Sequence, residues 1–390
     1  MNNHNEIRIG IITENHFPRI GGMEFCNHFL ARALQKLPDT TVAVSCSAMP
    51  EVPRGFPYPY KIYRSKSFSV LTPYLYNKNI QSMINKEKPD VLLGTMLHGG
   101  GATAVRIAKK CGLPVVVQSH GSDVQTVPEI GYGARLKPEM ESLIKNVINK
   151  ADRVLAVSSL NRNLILELGA SAEKVDVLHN GISIKEINGI PFQDARPKYG
   201  LNSDDFVIIT VSRNRPIKRM NLLFEALSIA KAESTIKCIC VGPKEDLPEM
   251  VSAYGLEETV ILTGPIPKPG TLIGITGPPF PELISLYRSA DLFVSVSYIE
   301  AFQTGVTDSL ACGIPVLVGK NHGVRDVIIE GQTGYVMEDE TPKGLAQMLL
   351  QLSKQKQALM DKKDDIRRSV AHLTWDNTAR RLREICVSLI

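Results

Sequence analysis

Four charged side chains stand where this chain could do chemistry. Glu300 and Asp308 lie eight residues apart in DLFVSVSYIEAFQTGVTDSLACGIP, residues 291–315, which starts as an apolar strand, opens into a polar loop at 298–304 and continues as a helix after Gly305. A helix N-terminus that follows a strand offers backbone N–H groups and the positive end of a dipole, a seat for phosphate. Carboxylates on either side of it suit the hydroxyls of a sugar and of a ribose; in a ligand-free α/β unit the same acids would simply be solvated. Arg213 and Lys218, five residues apart in SRNRPIKRMN, leave the end of another apolar strand. A guanidinium fork and an ammonium on one strand–helix turn can neutralise a diphosphate, and Pro216 separates them from an ordinary solvated charge run. His120 and Asp123 in SHGSD follow the strand PVVVQ, where an imidazole can bond a ligand hydroxyl or phosphate or exchange a proton. Gly21 and Gly22 let the backbone turn tightly and approach a ligand just before the first helix; alone, such a pair reads as a turn.

These groups need elements to hold them, and the chain alternates strand and helix throughout. Strand-like runs occur at 7–13, 42–46, 91–95, 114–120 and 153–158, with helices between them. The Pro-, Tyr- and Ser-rich stretch 50–73 reads as an excursion over the surface. Residues 182–203 lack an apolar period, contain Pro191, Pro197 and Gly200, and read as an interdomain linker. A second set of strands follows at 206–212, 237–242, 260–264, 291–297, 314–319 and 333–337. The fold class is therefore α/β, with two Rossmann-like, doubly wound parallel-sheet domains at 1–190 and 200–370 facing a cleft. Ligands are expected outside the carboxyl ends of the strands.

Bulk properties narrow the class. The 390 residues are 43% hydrophobic and 22% charged with a net charge of +5, the profile of a globular enzyme rather than a nucleic-acid binder. Such a charge permits an anionic substrate or a peripheral membrane contact and requires neither. Seven cysteines form no C-x-x-C pair, and Cys238 and Cys240 share one strand face as core residues. No apolar run approaches the length of a membrane span and the start lacks a leader pattern, so the reading is a reduced, cytoplasmic protein.

Taken in order, PRIGGMEF, SHGSD, ADRVLAVS, VLHNG, VSRNRPIK, VGP, SLYRSADLFVSVSYIEAF, ACGIPVLVG, GQTGYVMEDETPKGLAQMLLQL and TWDNTARRL resemble the retaining glycosyltransferases of the GT4 family, over nearly the whole chain. The resemblance implies a GT-B fold whose C-terminal helix, about 374–390, crosses back to the first domain. It implies that Arg213 and Lys218 bind the donor diphosphate and that Glu300, first acid of an E-x7-E motif, bonds the donor sugar. The backbone N–H groups of Phe302, Gln303 and Thr304 would face the diphosphate and sugar. Asp308 stands where the family has a second Glu against the ribose and is one methylene shorter. His120 matches a histidine near the donor sugar, Gly22 a loop that closes over the phosphates, and Ile266 the turn that holds the base. Gly21 and Asp123 are acceptor-side candidates. A stretch at 268–279 reads as an insertion beside the base turn.

The reaction so implied moves a hexosyl or N-acetylhexosaminyl unit from a nucleotide sugar, UDP-linked, to an acceptor hydroxyl with retention of configuration. The acceptor would be a soluble polyol or aminocyclitol, a glycan or a lipid carrier. No cofactor or metal is expected: the chain has no D-x-D pair, and Arg213, Lys218 and a helix N-terminus can stabilise the leaving diphosphate. Glu300, His120, Arg213 and Lys218 are the catalytic candidates. The alternatives are a nucleotide-sugar epimerase on the same scaffold and a non-catalytic relative that binds nucleotide or carbohydrate.

Overall fold

The computed structural model describes residues 6–18, 21–47, 56–64, 72–267 and 279–390. The chain divides into two compact units. One comprises Met1–Gly181 together with Leu373–Ile390; the other holds Ile182–Ile273 and Pro278–His372.

The first unit contains β1 (Ile7–Ile12), β2 (Thr40–Cys46), β3 (Lys61–Arg64), β4 (Val91–Thr95), β5 (Val115–Ser119), β6 (Arg153–Ala156) and β7 (Val175–Val177). All neighbours pair parallel, in the order β3-β2-β1-β4-β5-β6-β7. Its strands are apolar at nearly every position because both faces are covered. Ile7, Ile9, Ile11, Leu93 and Val116 pack into one core with the helix Gly22–Lys36, while Ile12, Leu92, Val115 and Val117 pack into a core on the other face. The C-terminal helix Trp375–Val387 belongs to the first of these cores. It starts at Thr374, whose side chain accepts from the Asn377 N–H at 3.2 Å. Its Trp375 ring lies 5.5 Å from that of Phe29. Gly181 makes room, since a Cβ there would lie 2.4 Å from the Trp375 nitrogen.

The second unit contains β8 (Phe206–Val211), β9 (Ile236–Val241), β10 (Val260–Gly264), β11 (Leu292–Ser295), β12 (Val316–Gly319) and β13 (Gly334–Met337), again parallel, in the order β10-β9-β8-β11-β12-β13. Phe206, Ile208, Cys238, Cys240 and Leu317 join helices Met220–Ala230 and Pro342–Ser353 in its core. Chain order reverses between β8 and β11 in this sheet and between β1 and β4 in the other. Loops leaving a switch point diverge and open a crevice at the strand ends.

Two stretches depart from expectation, and a third adds a feature that spacing did not indicate. Residues 61–64 form the edge strand β3 rather than part of a surface excursion, paired to β2 from Lys61 to Arg64. The stretch 182–203 is no free linker: it carries the helix Ile184–Gly189 and is tied down by Arg288, whose guanidinium donates to the carbonyls of Ile187 and Ile190 at 2.8 and 2.6 Å. A π-helical turn, Met96–Gly101, precedes the helix Ala102–Cys111. Of the expected insertion at 268–279, residues 268–278 lie outside the described residues.

Candidate active site

In the second unit the site grows from three strand ends. After β8 the chain runs past Arg213, which is exposed, into a single 3-10 turn, Pro216–Lys218. After β11 the backbone N–H of Tyr298 donates to the Ile217 carbonyl at 2.9 Å, which joins this loop to the turn bearing Lys218. Two residues on, Glu300 is zipped to the loop after β12: its N–H donates to the Asn321 carbonyl at 3.0 Å and its carbonyl accepts from the Gly323 N–H at 2.8 Å. Backbone pairing on both sides therefore fixes where the Glu300 carboxylate emerges. That carboxylate forms an ion pair with the Lys218 ammonium, with side-chain exposures of 14% and 22%. Burial alone would raise the Glu300 pKa, but Lys218, His322 and a hydrogen bond from Ser297 outweigh it and hold the acid below its usual range. Glu300 is thus ionised near neutrality, able to accept hydrogen bonds and unsuited to donating a proton.

The helix Thr304–Ala311 starts beside this pair. Its preceding residue, Gln303, spends its side chain on the framework: Oε1 accepts from Ser295 Oγ at 2.6 Å and Nε2 donates to the Val211 carbonyl at 3.3 Å, bridging the ends of β11 and β8. The first N–H groups of such a helix lack intrahelical acceptors, a feature that suits an anion. Phe302 is buried and Thr304 half-buried. Gly305 packs on Tyr287, where a Cβ would stand 3.3 Å from the phenolic oxygen. One turn on, burial raises the Asp308 carboxyl to about 7. Ile266, after β10, is half-buried.

His322 was not among the residues that spacing singled out. It is buried, its Nδ1 accepts from the Val324 N–H at 3.3 Å, and its Nε2 therefore carries the proton, 3.3 Å from Gln303 Oε1. Burial lowers its pKa to about 4, against the pull of Glu300 and assisted by Lys218. The signal was present: NHG after β12 repeats the SHG that follows β5.

In the first unit the candidates are differently placed. His120 follows β5 with Nε2 buried and, among the described residues, without a hydrogen-bond partner. Burial lowers its pKa to about 4 although Asp123 pulls the other way, so it acts as a neutral imidazole. Asp123 is fully buried, and its carboxylate accepts from Ser119 Oγ at 2.8 Å and from the N–H groups of Gly121 and Leu97, each at 3.0 Å. It ties the loop after β5 to the π-helical turn after β4. Gly21 is overlaid by its neighbour Glu24, whose Oε2 would lie 2.1 Å from a Cβ, whereas Gly22 has open space where a side chain would be.

The comparisons with known proteins now bear on this geometry. Residues 20–186 match the family described as Glycosyltransferase Family 4, and residues 191–369 match that described as Glycosyl transferases group 1. The chain belongs to the glycosyltransferase 4 family. It is similar to a D-inositol 3-phosphate glycosyltransferase of Thermobispora bispora, 27% identical over 292 residues that cover 71% of this chain and 65% of the relative; the chain thus spans just under two thirds of that protein. It is also similar to an alpha-monoglucosyldiacylglycerol synthase of Streptococcus pneumoniae, 22% identical with 84% of this chain and 74% of the relative covered. In structure it resembles Anabaena HepE, solved with UDP and glucose, at a TM-score of 0.75, 18% identity and coverage of 98% and 100%. The two parallel α/β units of this family member are those of a GT-B fold. Among its described residues no helix is long and apolar enough to cross a membrane.

Proposed function

We propose that the protein transfers a hexosyl or N-acetylhexosaminyl unit from a UDP-sugar to an acceptor hydroxyl, with retention of configuration and without a metal ion. The observation that carries this reading is the Lys218–Glu300 pair, set at the switch point of the second sheet beside a helix N-terminus. Lys218 and Arg213 meet the diphosphate as it gains charge on leaving, the role a divalent ion would otherwise fill. Glu300, ionised and fixed by its backbone, accepts hydrogen bonds from the donor sugar's hydroxyls. Phe302, Gln303 and Thr304 offer backbone N–H groups to the phosphates, Asp308 approaches the ribose, and Ile266 borders the base.

His120 enters as an uncharged hydrogen-bond partner, with Gly22 giving the phosphates a close backbone approach. Gly21 borders the acceptor, and Asp123 serves it indirectly by shaping the loop behind His120. The departing phosphate takes the acceptor proton, consistent with a Glu300 that is already deprotonated. UDP as carrier draws support from the Anabaena relative's complex. A polyol or a lipid-borne hydroxyl as acceptor is supported by the names of the curated relatives. Seven free cysteines support action in the reducing cytoplasm, with at most peripheral membrane contact.

The test is incubation of UDP-glucose and UDP-N-acetylglucosamine with pooled polyol, glycan and glycolipid acceptors, with and without EDTA. Products are weighed by mass spectrometry and the new anomeric centre is read by NMR. Glycosylated product with the donor's configuration, formed equally in EDTA, is expected. Donor sugars interconverted without acceptor would replace the reading with an epimerase, and nucleotide binding without any turnover would replace it with a binding protein.

A further inference from the structure

Arg219, next to Lys218, has backbone angles φ 50 and ψ 45, a left-handed conformation unfavourable for any residue with a side chain. Glycine would relieve that strain, so an arginine here needs a compensating use. Its guanidinium is buried, and its contacts supply the use. Nε donates to the Val296 carbonyl at 2.5 Å, Nη2 to the Ser297 carbonyl at 3.3 Å, and Nη1 to Glu340 Oε2 at 2.9 Å. Its Cζ lies over the Tyr298 ring, 4.5 Å from the ring centroid. Val296, Ser297 and Tyr298 form the segment that leads from β11 to Glu300. The other oxygen of Glu340, Oε1, accepts from the Lys320 N–H at 3.0 Å, two residues before His322. Gly319 keeps the space open: a Cβ there would lie 2.9 Å from Glu340 Oε1 and 3.0 Å from the Ser297 carbonyl.

One buried fork therefore joins the loops that leave β8, β11, β12 and β13. We propose that Arg219 is a positioning residue that sets the distance and angle between Lys218 and Glu300, a role that rests on the reading of those two as the donor site. Arg219 reaches forward along the β11 loop while Lys218, its neighbour, reaches the acid at that loop's tip. The pair is thus registered from both ends. A lysine at 219 would keep the charge and lose the three-way fork.

The experiment compares wild type with Arg219→Gly, Arg219→Lys and Lys218→Ala by crystal structure, thermal unfolding and UDP-glucose turnover. Arg219→Gly removes the strain together with the fork, so a cooperative unfolding transition is expected to persist. In its crystal structure Val296–Tyr298 should shift and the Lys218–Glu300 pair should lengthen. Its kcat should fall about a hundredfold while KM moves much less, the signature of misplacement rather than lost binding. Millimolar guanidinium should restore part of that loss in Arg219→Gly and none in Lys218→Ala; Arg219→Lys should not recover wild-type kcat. An Arg219→Gly structure with the β11 loop and the ion pair unmoved would overturn the proposal. If Lys218→Ala turns over UDP-glucose like wild type, the donor-site reading falls instead, and the crystal structures still decide whether Arg219 sets the pair.

Discussion

Beyond β8 and β11 in the second unit stand an ammonium, a carboxylate and a buried guanidinium; in the first, His16 follows β1 and His120 follows β5, while His28 on the first helix and Tyr60 just before β3 join His16 in a buried cluster. His16 Nε2 lies 2.6 Å and His28 Nδ1 2.7 Å from the hydroxyl of Tyr60, and all three side chains are buried. Burial, followed by His28 and Arg64, lowers His16 to about 3, and burial raises the Tyr60 phenol well above its usual value. His120 is neutral for the same reason. Two sheets of one architecture thus carry different chemistry: ion pairs in the second unit, and in the first neutral imidazoles beside an Asp123 carboxylate that is spent on Ser119, Gly121 and Leu97. A site for a charged diphosphate must hold its own ions in place against desolvation, whereas a site for a neutral hydroxyl works through dipoles and tolerates burial. In the second unit Lys218 is paired with Glu300 and Arg219 with Glu340, as the proposed donor site would require.

The comparison breaks most visibly at Lys218. Replacing it or Arg213 with alanine should lower turnover of UDP-glucose by roughly 10²–10³, the usual loss for a donor aimed at developing charge. The two variants should differ in stability. Lys218→Ala leaves Glu300 partly buried without its partner and should lower the melting temperature, while the exposed Arg213 should not. Glu300→Gln should lower kcat with little change in KM. Equal turnover in all three variants would return the second unit to a merely structural charge cluster.

His120 tests the neutral side. His120→Gln should reduce turnover only about tenfold, the scale of one uncharged hydrogen bond, and wild-type activity should show no limb near pH 6.5 arising from it. The sign for stability follows from its depressed value: an unfolded histidine titrates near 6.5 and the folded one near 4, so its contribution is complete above 6.5 and is lost as pH falls toward 4. Urea unfolding from pH 7 to 4 should therefore be flatter in His120→Gln than in wild type. A steeper loss would mean that the imidazole is charged in the fold.

Much of the architecture was legible because buried parallel strands such as IRIGII and VLLGT are apolar at nearly every position and the turns between elements are short. β3 was not, because KIYR is a half-exposed edge strand with a cation at each end and presents no apolar run. The helix Ile184–Gly189 has six residues, too few to display a period, and its anchor Arg288 lies far along the chain. In the candidate site, Arg213, Lys218 and Glu300 could be picked out because each follows a recognisable strand. Arg219 could not, because its value comes from which loops the strand order sets side by side; His322 showed only as an NHG after β12 like the SHG at the end of β5, and its contact with Gln303 comes from the fold. Topology of that kind is absent from local spacing.

Asp308 gives a smaller and pH-dependent effect. Its folded value of about 7 exceeds the ordinary 3.8, so the folded state holds its proton more tightly and stability declines as pH rises from 3.8 through 7. Asp308→Asn removes that decline. The variant should match wild type in acid and exceed it at pH 8 by on the order of 1 kcal/mol, after allowance for partial exposure, as read from unfolding curves at the two pH values. No gain at pH 8 would mean that a solvent contact or counter-ion already satisfies the ionised acid, and the second unit would then be more thoroughly paired than its geometry implies.

The smallest effect belongs to Tyr287, whose hydroxyl is buried beneath Gly305 and, among the described residues, has no hydrogen-bond partner. Burial, then the neighbouring Asp308 and Cys312, raises its pKa well above the ordinary range, so it stays a neutral phenol. A buried polar group without a partner has already lost its hydration, and removing it costs little beyond its contacts. Tyr287→Phe should therefore leave stability within about 0.5 kcal/mol of wild type or raise it slightly, and should leave UDP affinity and turnover unchanged. A loss of more than about 1 kcal/mol would reveal a water or side chain bonded to that oxygen. A selective loss of nucleotide affinity would instead extend the ligand-facing polar surface of the second unit beneath the helix. In that case neutral dipoles as well as paired ions would serve the diphosphate side, and the contrast between the units would narrow.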